Sequence, residues 1–241
     1  MKTNKKKIVL SLEARTTSHR LPNKIFKKLN NFMVIEILIK RIKKIKGIDD
    51  FFFAIPNTKR NDKLASFLKK RKINFYRGSE DNVLERVVKG AEMFNSDILV
   101  RLTGDNPLID IYMVDEMIKM FKKKKNLDYY SNNGYAKNIK RTMPTGIDIE
   151  IIKFNTFKNI SFFLRKKNFI TYPSSYIYTS KKEKFKLGHF FIKKNITKKF
   201  KKNLRLTLDT KSDLIFLQKL FKKIYLKHKF RFNLLNVVNC L

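Results

Sequence analysis

The chain has 241 residues, 43% of them hydrophobic and 22 of them Phe, enough for one large α/β domain with a substantial core. Lys and Arg total 56 against 20 Asp and Glu, a formal net charge of +36, and a single cysteine, Cys240, excludes a disulfide framework. No apolar run approaches the roughly 18 residues of a membrane span, and Ile8–Leu12 is too short for a secretory signal, so one cytoplasmic unit over residues 1–241 is expected.

Taken in order, short apolar runs alternate with helical patterns. Ile8-Val9-Leu10-Ser11-Leu12 reads as a buried strand. Val34, Ile35, Leu38, Ile39, Ile42 and Ile45 recur at helical spacing, with Gly47 as a stop. Phe51–Ile55 is strand-like and is ended by Pro56-Asn57. Asp62–Lys70 is read as helix, Ile73–Tyr76 as strand, and Ser79–Phe94 as helix with Ser79 at its N-cap. Ile98–Leu102 is the next strand and Met113–Lys123 the next helix. This order predicts a three-layer α/β fold, a mostly parallel twisted sheet with helices on both faces. Ligands in such sheets lie beyond the carboxyl ends of the strands, which singles out the loops after Leu12, Ile55, Tyr76 and Leu102.

The second half is less regular. Asp128–Ser131 is strand-like, Gly146–Ile152 alternates with period two, and Phe154–Leu164 reads as helix. Aromatic residues and the turn signal Tyr172-Pro173-Ser174-Ser175 mark 168–192 as an irregular excursion, within a stretch, 129–195, expected to form an inserted arm. Leu204–Asp209 reads as a strand ending in an acid, followed by a helix, Ser212–Lys223, with Thr210 as its N-cap.

The basic excess invites a nucleic-acid reading. Yet the lysines are scattered (Lys5–Lys7, Lys69-Lys70, Lys122–Lys125, Lys198–Lys202), and Lys, Asn, Ile, Phe and Tyr all have codons rich in A and T. Codon drift onto solvated faces accounts for most of the charge, which leaves a basic RNA-binding module as the lesser alternative. Against that background the acids carry more information. Asp105 sits at the lip of an apolar strand in Val100-Arg101-Leu102-Thr103-Gly104-Asp105-Asn106-Pro107, and Asp209 repeats the theme. A carboxylate there suggests a divalent cation and, through it, a phosphate chain. The alternative for each is a turn-forming aspartate. The loop after the first strand, Glu13–Lys24, holds Arg15, Arg20 and Lys24; arginine offers a planar fork that phosphate oxygens match. There is neither a G-x-x-x-x-G-K-[ST] nor a G-x-G-x-x-G segment, which argues against a P-loop NTPase or a dinucleotide enzyme.

Four segments carry a specific resemblance. Residues 14–24 (ARTTSHRLPNK) resemble A-R-x-x-S-x-R-L-P-G-K, and 77–87 (RGSEDNVLERV) resemble R-G-S-E-D-D-V-L-D-R. Residues 100–110 (VRLTGDNPLID) resemble V-R-x-T-G-D-x-P-L-I-D, and 205–214 (RLTLDTKSDL) resemble R-L-T-L-D-T-x-x-D-L. These are motifs of the cytidylyltransferases that make CMP-activated sugars, in the spore-coat-polysaccharide branch, with acylneuraminate and KDO cytidylyltransferases as more distant relatives. The resemblance implies transfer of CMP from CTP to a nonulosonic or other acidic or amino sugar, with Mg²⁺ as cofactor and 129–195 as an acceptor-side arm; the aromatic residues of that arm suit a subunit contact, so a homodimer is expected. It implies nucleotide binding by Ala14, Arg15, Ser18, Arg20, Lys24, Arg77, Ser79 and Glu80, catalytic roles for Arg15, Lys24 and Asp105, and metal binding by Asp105 and Asp209. Residues 143–151 (MPTGIDIEI) resemble Y-P-x-G-L-D-V-E-V, which implies sugar contacts for Asp148 and Glu150. Arg86 is read as a partner of Asp81 or Glu85, while His189 and His228 have no assigned role. The chain departs from the pattern at Asn23, where Gly is usual, at Thr145, and over 167–173, where an acid and a histidine of the pattern are absent. A sugar-nucleotide glycosyltransferase of related fold is the main alternative; its D-x-D-type metal motif would have to be Asp148-Ile149-Glu150.

Overall fold

Strand β1 (Ile8–Glu13) is buried along nearly its whole length, with Ile8, Leu10 and Leu12 in one core and Val9 in another. Burial on both sides is why its sequence is apolar on both faces and does not alternate, broken only by the buried Ser11 before the terminal Glu13. The computed structural model describes residues 5–124, 126–133, 141–180, 185–201 and 203–241; residues 134–140 and 181–184 of the expected arm lie outside the described residues.

A short hairpin follows, β2 (Lys28–Leu29) and β3 (Phe32–Met33), then α1 (Val34–Ile42), β4 (Asp50–Pro56), α2 (Asp62–Lys70), β5 (Phe75–Gly78), α3 (Val83–Glu92), β6 (Ile98–Thr103) and α4 (Ile111–Lys123). The second half supplies β7 (Tyr129–Ser131), β8 (Glu150–Lys153), α5 (Phe154–Phe163), α6 (Lys167–Thr171), α7 (Pro173–Thr179), β9 (Leu187–His189), α8 (Lys194–Thr197), α9 (Lys211–His228) and α10 (Leu234–Val238). The seven-stranded sheet runs β5-β4-β1-β6-β8-β7-β9. Only β8 is antiparallel to its neighbours. Helices α1, α2, α4, α9 and α10 cover one face; α3, α5 and α7 cover the other. The expected three-layer, mostly parallel α/β fold is therefore the observed one. The span 129–195 is woven into it, because β7, β8 and β9 extend the main sheet while α5 and α7 cover it. No helix among the described residues is long and apolar enough to cross a membrane.

The chain leaves β1 for β4 and β5 on one side, then returns to place β6 on the other. The crevice between the carboxyl ends of β1 and β6 is thus the topological switch point, where open α/β sheets bind ligands. Gly104 closes the approach of the two loops there: its N–H donates to the Glu13 carbonyl at 2.8 Å, and a Cβ on it would lie 3.1 Å from the Ala14 Cβ.

Three expectations change. The N-cap of α3 is Asn82, whose Oδ1 accepts the Glu85 N–H at 3.0 Å; Ser79 Oγ instead accepts the Asn82 N–H, making a turn ahead of the helix. The 79–81 stretch is thereby loop, free to border the crevice. Residues 204–209 form no strand of the sheet. They run extended against 145, with an isolated bridge Thr145–Arg205, and the Leu208 N–H donates to the Asp105 carbonyl at 2.8 Å. Gly146 permits this approach, since at φ 99° a Cβ would sit 2.4 Å from the Thr207 nitrogen. Finally, β8 begins only at Glu150, although Ile147, Ile149 and Ile151 all point into one core as the alternation predicts. Thr210 does cap α9, in a capping box with Asp213.

Candidate active site

The loop after β1 is held by its own polar residues. The Thr16 N–H donates to Asn61 Oδ1 at 2.9 Å, the Asn23 N–H returns to the Thr16 carbonyl at 3.0 Å, and Asn23 is left-handed at φ 56°. Asparagine tolerates that region better than most residues, so the turn survives without glycine. It delivers Lys24 into the crevice.

There Lys24 Nζ lies 2.9 Å from Asp105 Oδ2 and 3.0 Å from Asp209 Oδ1. Arg20 Nη2 reaches the same Asp209 Oδ1 at 3.1 Å, and Arg205 Nη2 reaches Asp209 Oδ2 at 3.1 Å. Thr103 Oγ1 donates to Asp105 Oδ1 at 2.6 Å, and Asn106 Nδ2 donates to Thr103 Oγ1 at 2.9 Å. The two aspartates singled out by position in the sequence are therefore neighbours, joined by one ammonium. Burial pushes the Asp209 carboxyl up, but the hydrogen bond and charge of Lys24, with Arg20 and Arg205, outweigh it and hold Asp209 below its ordinary value. The pair has the oxygen chemistry a small divalent cation takes, one or two carboxylates completed by phosphate and water. No group of three or more His, Cys, Asp or Glu gathers among the described residues, so the two aspartates would share a metal with phosphate and water alone.

The second loop meets the first through Thr17 Oγ1, which donates to Glu80 Oε1 at 2.5 Å. Arg86 is almost fully buried and donates to the carbonyls of Ser79 and Glu80, fixing the turn; it pairs with neither Asp81 nor Glu85. Arg77 is tied to Asp62 at 2.6 Å and to the Thr58 carbonyl at 3.0 Å. Arg15 is exposed and makes no ion pair with a described residue; Ser18 is half-buried on the same loop, and Ala14 is packed beneath Gly104.

Asp148 and Glu150 share one side of the sheet, as their spacing predicts, but both are already engaged. Arg141 Nη2 donates to Asp148 Oδ1 at 2.6 Å, and burial, only partly offset by Arg141, raises the Asp148 carboxyl. Glu150 accepts from Tyr129 at 2.8 Å, from Ser174 at 2.7 Å and from Arg101. Arg101 also donates to Glu13 Oε1 at 2.8 Å. Burial works against the Arg101 charge, but the two glutamates more than restore it and raise its pKa. This buried network joins β1, β6, β7 and β8 to α7. Sequence reading passed over it, although an arginine inside the run Leu99–Leu102 was its visible signal. Arg205 and Thr103 were likewise missed, and each holds one oxygen of a site aspartate. Glu150 is engaged on both oxygens inside this network of the sheet, whereas Asp105 and Asp209 stand at the crevice beside the Lys24 loop.

Fold, switch-point crevice and paired aspartates define an α/β protein with a ligand site of acids and bases at its strand ends, and comparison with known proteins gives the class. A family described as cytidylyltransferase matches residues 9–233, and the chain belongs to that family. It is similar to an uncharacterized protein of Methanocaldococcus jannaschii, 32% identical over 231 residues that cover 96% of this chain and 86% of that protein. It is also similar to the spore coat polysaccharide biosynthesis protein SpsF of Bacillus subtilis, 32% identical over 158 residues, 64% of this chain and 62% of that one. Among solved structures, a cytidylyltransferase from Leptospira borgpetersenii superposes with a TM-score of 0.84 at 25% identity, covering 98% of this chain and 93% of that chain.

Proposed function

We propose that this cytidylyltransferase moves CMP from CTP onto an acidic or amino sugar destined for a surface polysaccharide or glycan. The observation that carries the reading is the pairing of Asp105 with Asp209 at the switch point, beside the Arg15–Lys24 loop. Family membership supports the nucleotide, and similarity to a spore-coat polysaccharide protein supports the destination. In the reaction an oxygen of the sugar bonds to the α-phosphorus of CTP while the bond from that phosphorus to the bridging oxygen breaks, and pyrophosphate carries the electrons away. Such displacements are accelerated mainly by positioning and by charge stabilisation.

Asp105 and Asp209 would hold Mg²⁺, which when bound neutralises phosphate charge. Arg15, Arg20 and Lys24 bind the triphosphate, with Ala14 and Ser18 shaping the loop around it. Arg77, Ser79 and Glu80 border the base and ribose. Asp148 faces the acceptor, and Glu150, saturated by Arg101, Tyr129 and Ser174, positions the acceptor-side wall. The exposed aromatics Phe162, Phe163 and Tyr172 offer the surface for a homodimer, and a cytoplasmic location suits the nucleotide substrate. Pyrophosphate release from CTP, screened over acidic and amino sugars, tests the reading. Release with one sugar class that vanishes in Asp105→Asn supports it; transfer from a UDP-sugar with no use of CTP contradicts it.

A further inference from the structure

The cation that holds Asp105 and Asp209 together belongs to the protein. Each acid has one oxygen anchored and one presented: Asp105 Oδ1 is taken by Thr103 and Asp209 Oδ2 by Arg205, while Asp105 Oδ2 and Asp209 Oδ1 both face Lys24 Nζ. The lysine side chain is 13% exposed, whereas Arg20 and Arg205 approach Asp209 from the surface at 66% and 47%. Lys24 thus occupies the centre of the carboxylate pair, the place a shared divalent cation would need. A neighbouring ammonium and a metal ion cannot take the same two oxygens, and like charges at such a distance repel strongly where solvent is sparse.

We propose that Lys24 is the resident cation of the nucleotide-free protein, and that loading is an exchange. Lys24 leaves the carboxylate pair for the phosphate oxygens, which frees Asp105 Oδ2 and, once the exposed Arg20 also swings from it, Asp209 Oδ1 for metal. This rests on the CTP reading above. The backbone at Lys24 is fixed by the left-handed Asn23 and the single 3₁₀ turn Lys24–Phe26, so the movement falls to the flexible four-carbon stem of the lysine. The consequence is linkage. Metal alone binds poorly because it must expel an ammonium, nucleotide improves metal binding by drawing Lys24 away, and metal improves nucleotide binding by the same factor.

The test is Mn²⁺ binding, followed by the electron paramagnetic resonance of free Mn²⁺, with and without CTP. Nucleotide-free Lys24→Met should bind Mn²⁺ about tenfold or more tighter than wild type, and Asp105→Asn in that background should abolish the gain. Arg20→Met, which removes a positive charge from Asp209 without vacating the centre, should gain much less. Melting curves guard against a misfolded variant: Mn²⁺ should raise the melting midpoint of nucleotide-free Lys24→Met and barely move that of wild type. Equal Mn²⁺ affinity in Lys24→Met and wild type, or an equal gain in Arg20→Met, overturns the exchange while leaving the CTP site intact. Mn²⁺ binding with CTP that is indifferent to Asp105 and Asp209 overturns both the exchange and the functional reading beneath it.

Discussion

On the proposed reading Asp105 and Asp209 hold the metal, and each is kept in place by neighbours of a different kind. Asp105 hangs from a strand end through Thr103; Asp209 lies in an extended segment that is tethered to Asp105 by the Leu208 amide. Replacing either by Asn should cut metal-dependent CTP turnover by about 100-fold or more while the far-UV circular dichroism stays native, because the loss falls on charge at the phosphates. Asp209 also predicts a pH dependence. Its folded-state pKa is depressed, so its contribution to stability is present above the unfolded value of about 3.9 and is lost as pH falls through the lower folded value. Denaturant titrations of wild type and Asp209→Asn should therefore differ at neutral pH and converge in acid. At this scale the sequence was legible where a residue was out of place: an acid ending an apolar strand, an arginine-bearing loop beside it. Partners far along the chain were not legible. Nothing local to Lys24 announces that it bridges residues 105 and 209, or that Glu150 belongs to Arg101 and Ser174.

Strands and helices were read correctly where periodicity was long, and misread where side chains compete with backbone. Ser79 looked like a helix cap because it precedes an apolar pattern; Asn82, three residues on, takes the Glu85 amide and leaves Ser79 to a turn. Asn82→Ala should lower stability by about 1 kcal/mol, and Ser79→Ala by less, as unfolding midpoints will show. The 204–209 run looked like a strand because leucines alternating with polar residues have the same signature whether or not a sheet edge is available. Here the edge of β6 is taken by β8, so the run pairs with 145 and the Asp105 loop. Gly146 makes that packing possible. Gly146→Ala should cost about 2 kcal/mol or more from its positive φ alone, with further loss from contact with the Thr207 backbone, and should lower CTP turnover because Asp209 shifts with the segment.

For the whole molecule, fold class followed from the βα order, and the site followed from the switch point between β1 and β6. The charge of +36, the most conspicuous property of the composition, is spread over scattered lysines, and the candidate site draws on a few bases among them, Arg20, Lys24 and Arg205. Retention on RNA should fade above about 300 mM salt, as purely phosphate-driven binding does, and should be the same for wild type and Asp105→Asn. The most direct measurement of the central claim is ligand protection against thermal unfolding, comparing CTP with UDP-sugars, with and without Mg²⁺. The account predicts that CTP with Mg²⁺ stabilises the wild type, by about 2.7 kcal/mol at a hundredfold excess over Kd, and that Asp105→Asn and Asp209→Asn lose this protection. Protection by UDP-sugars and none by CTP with Mg²⁺ would contradict it.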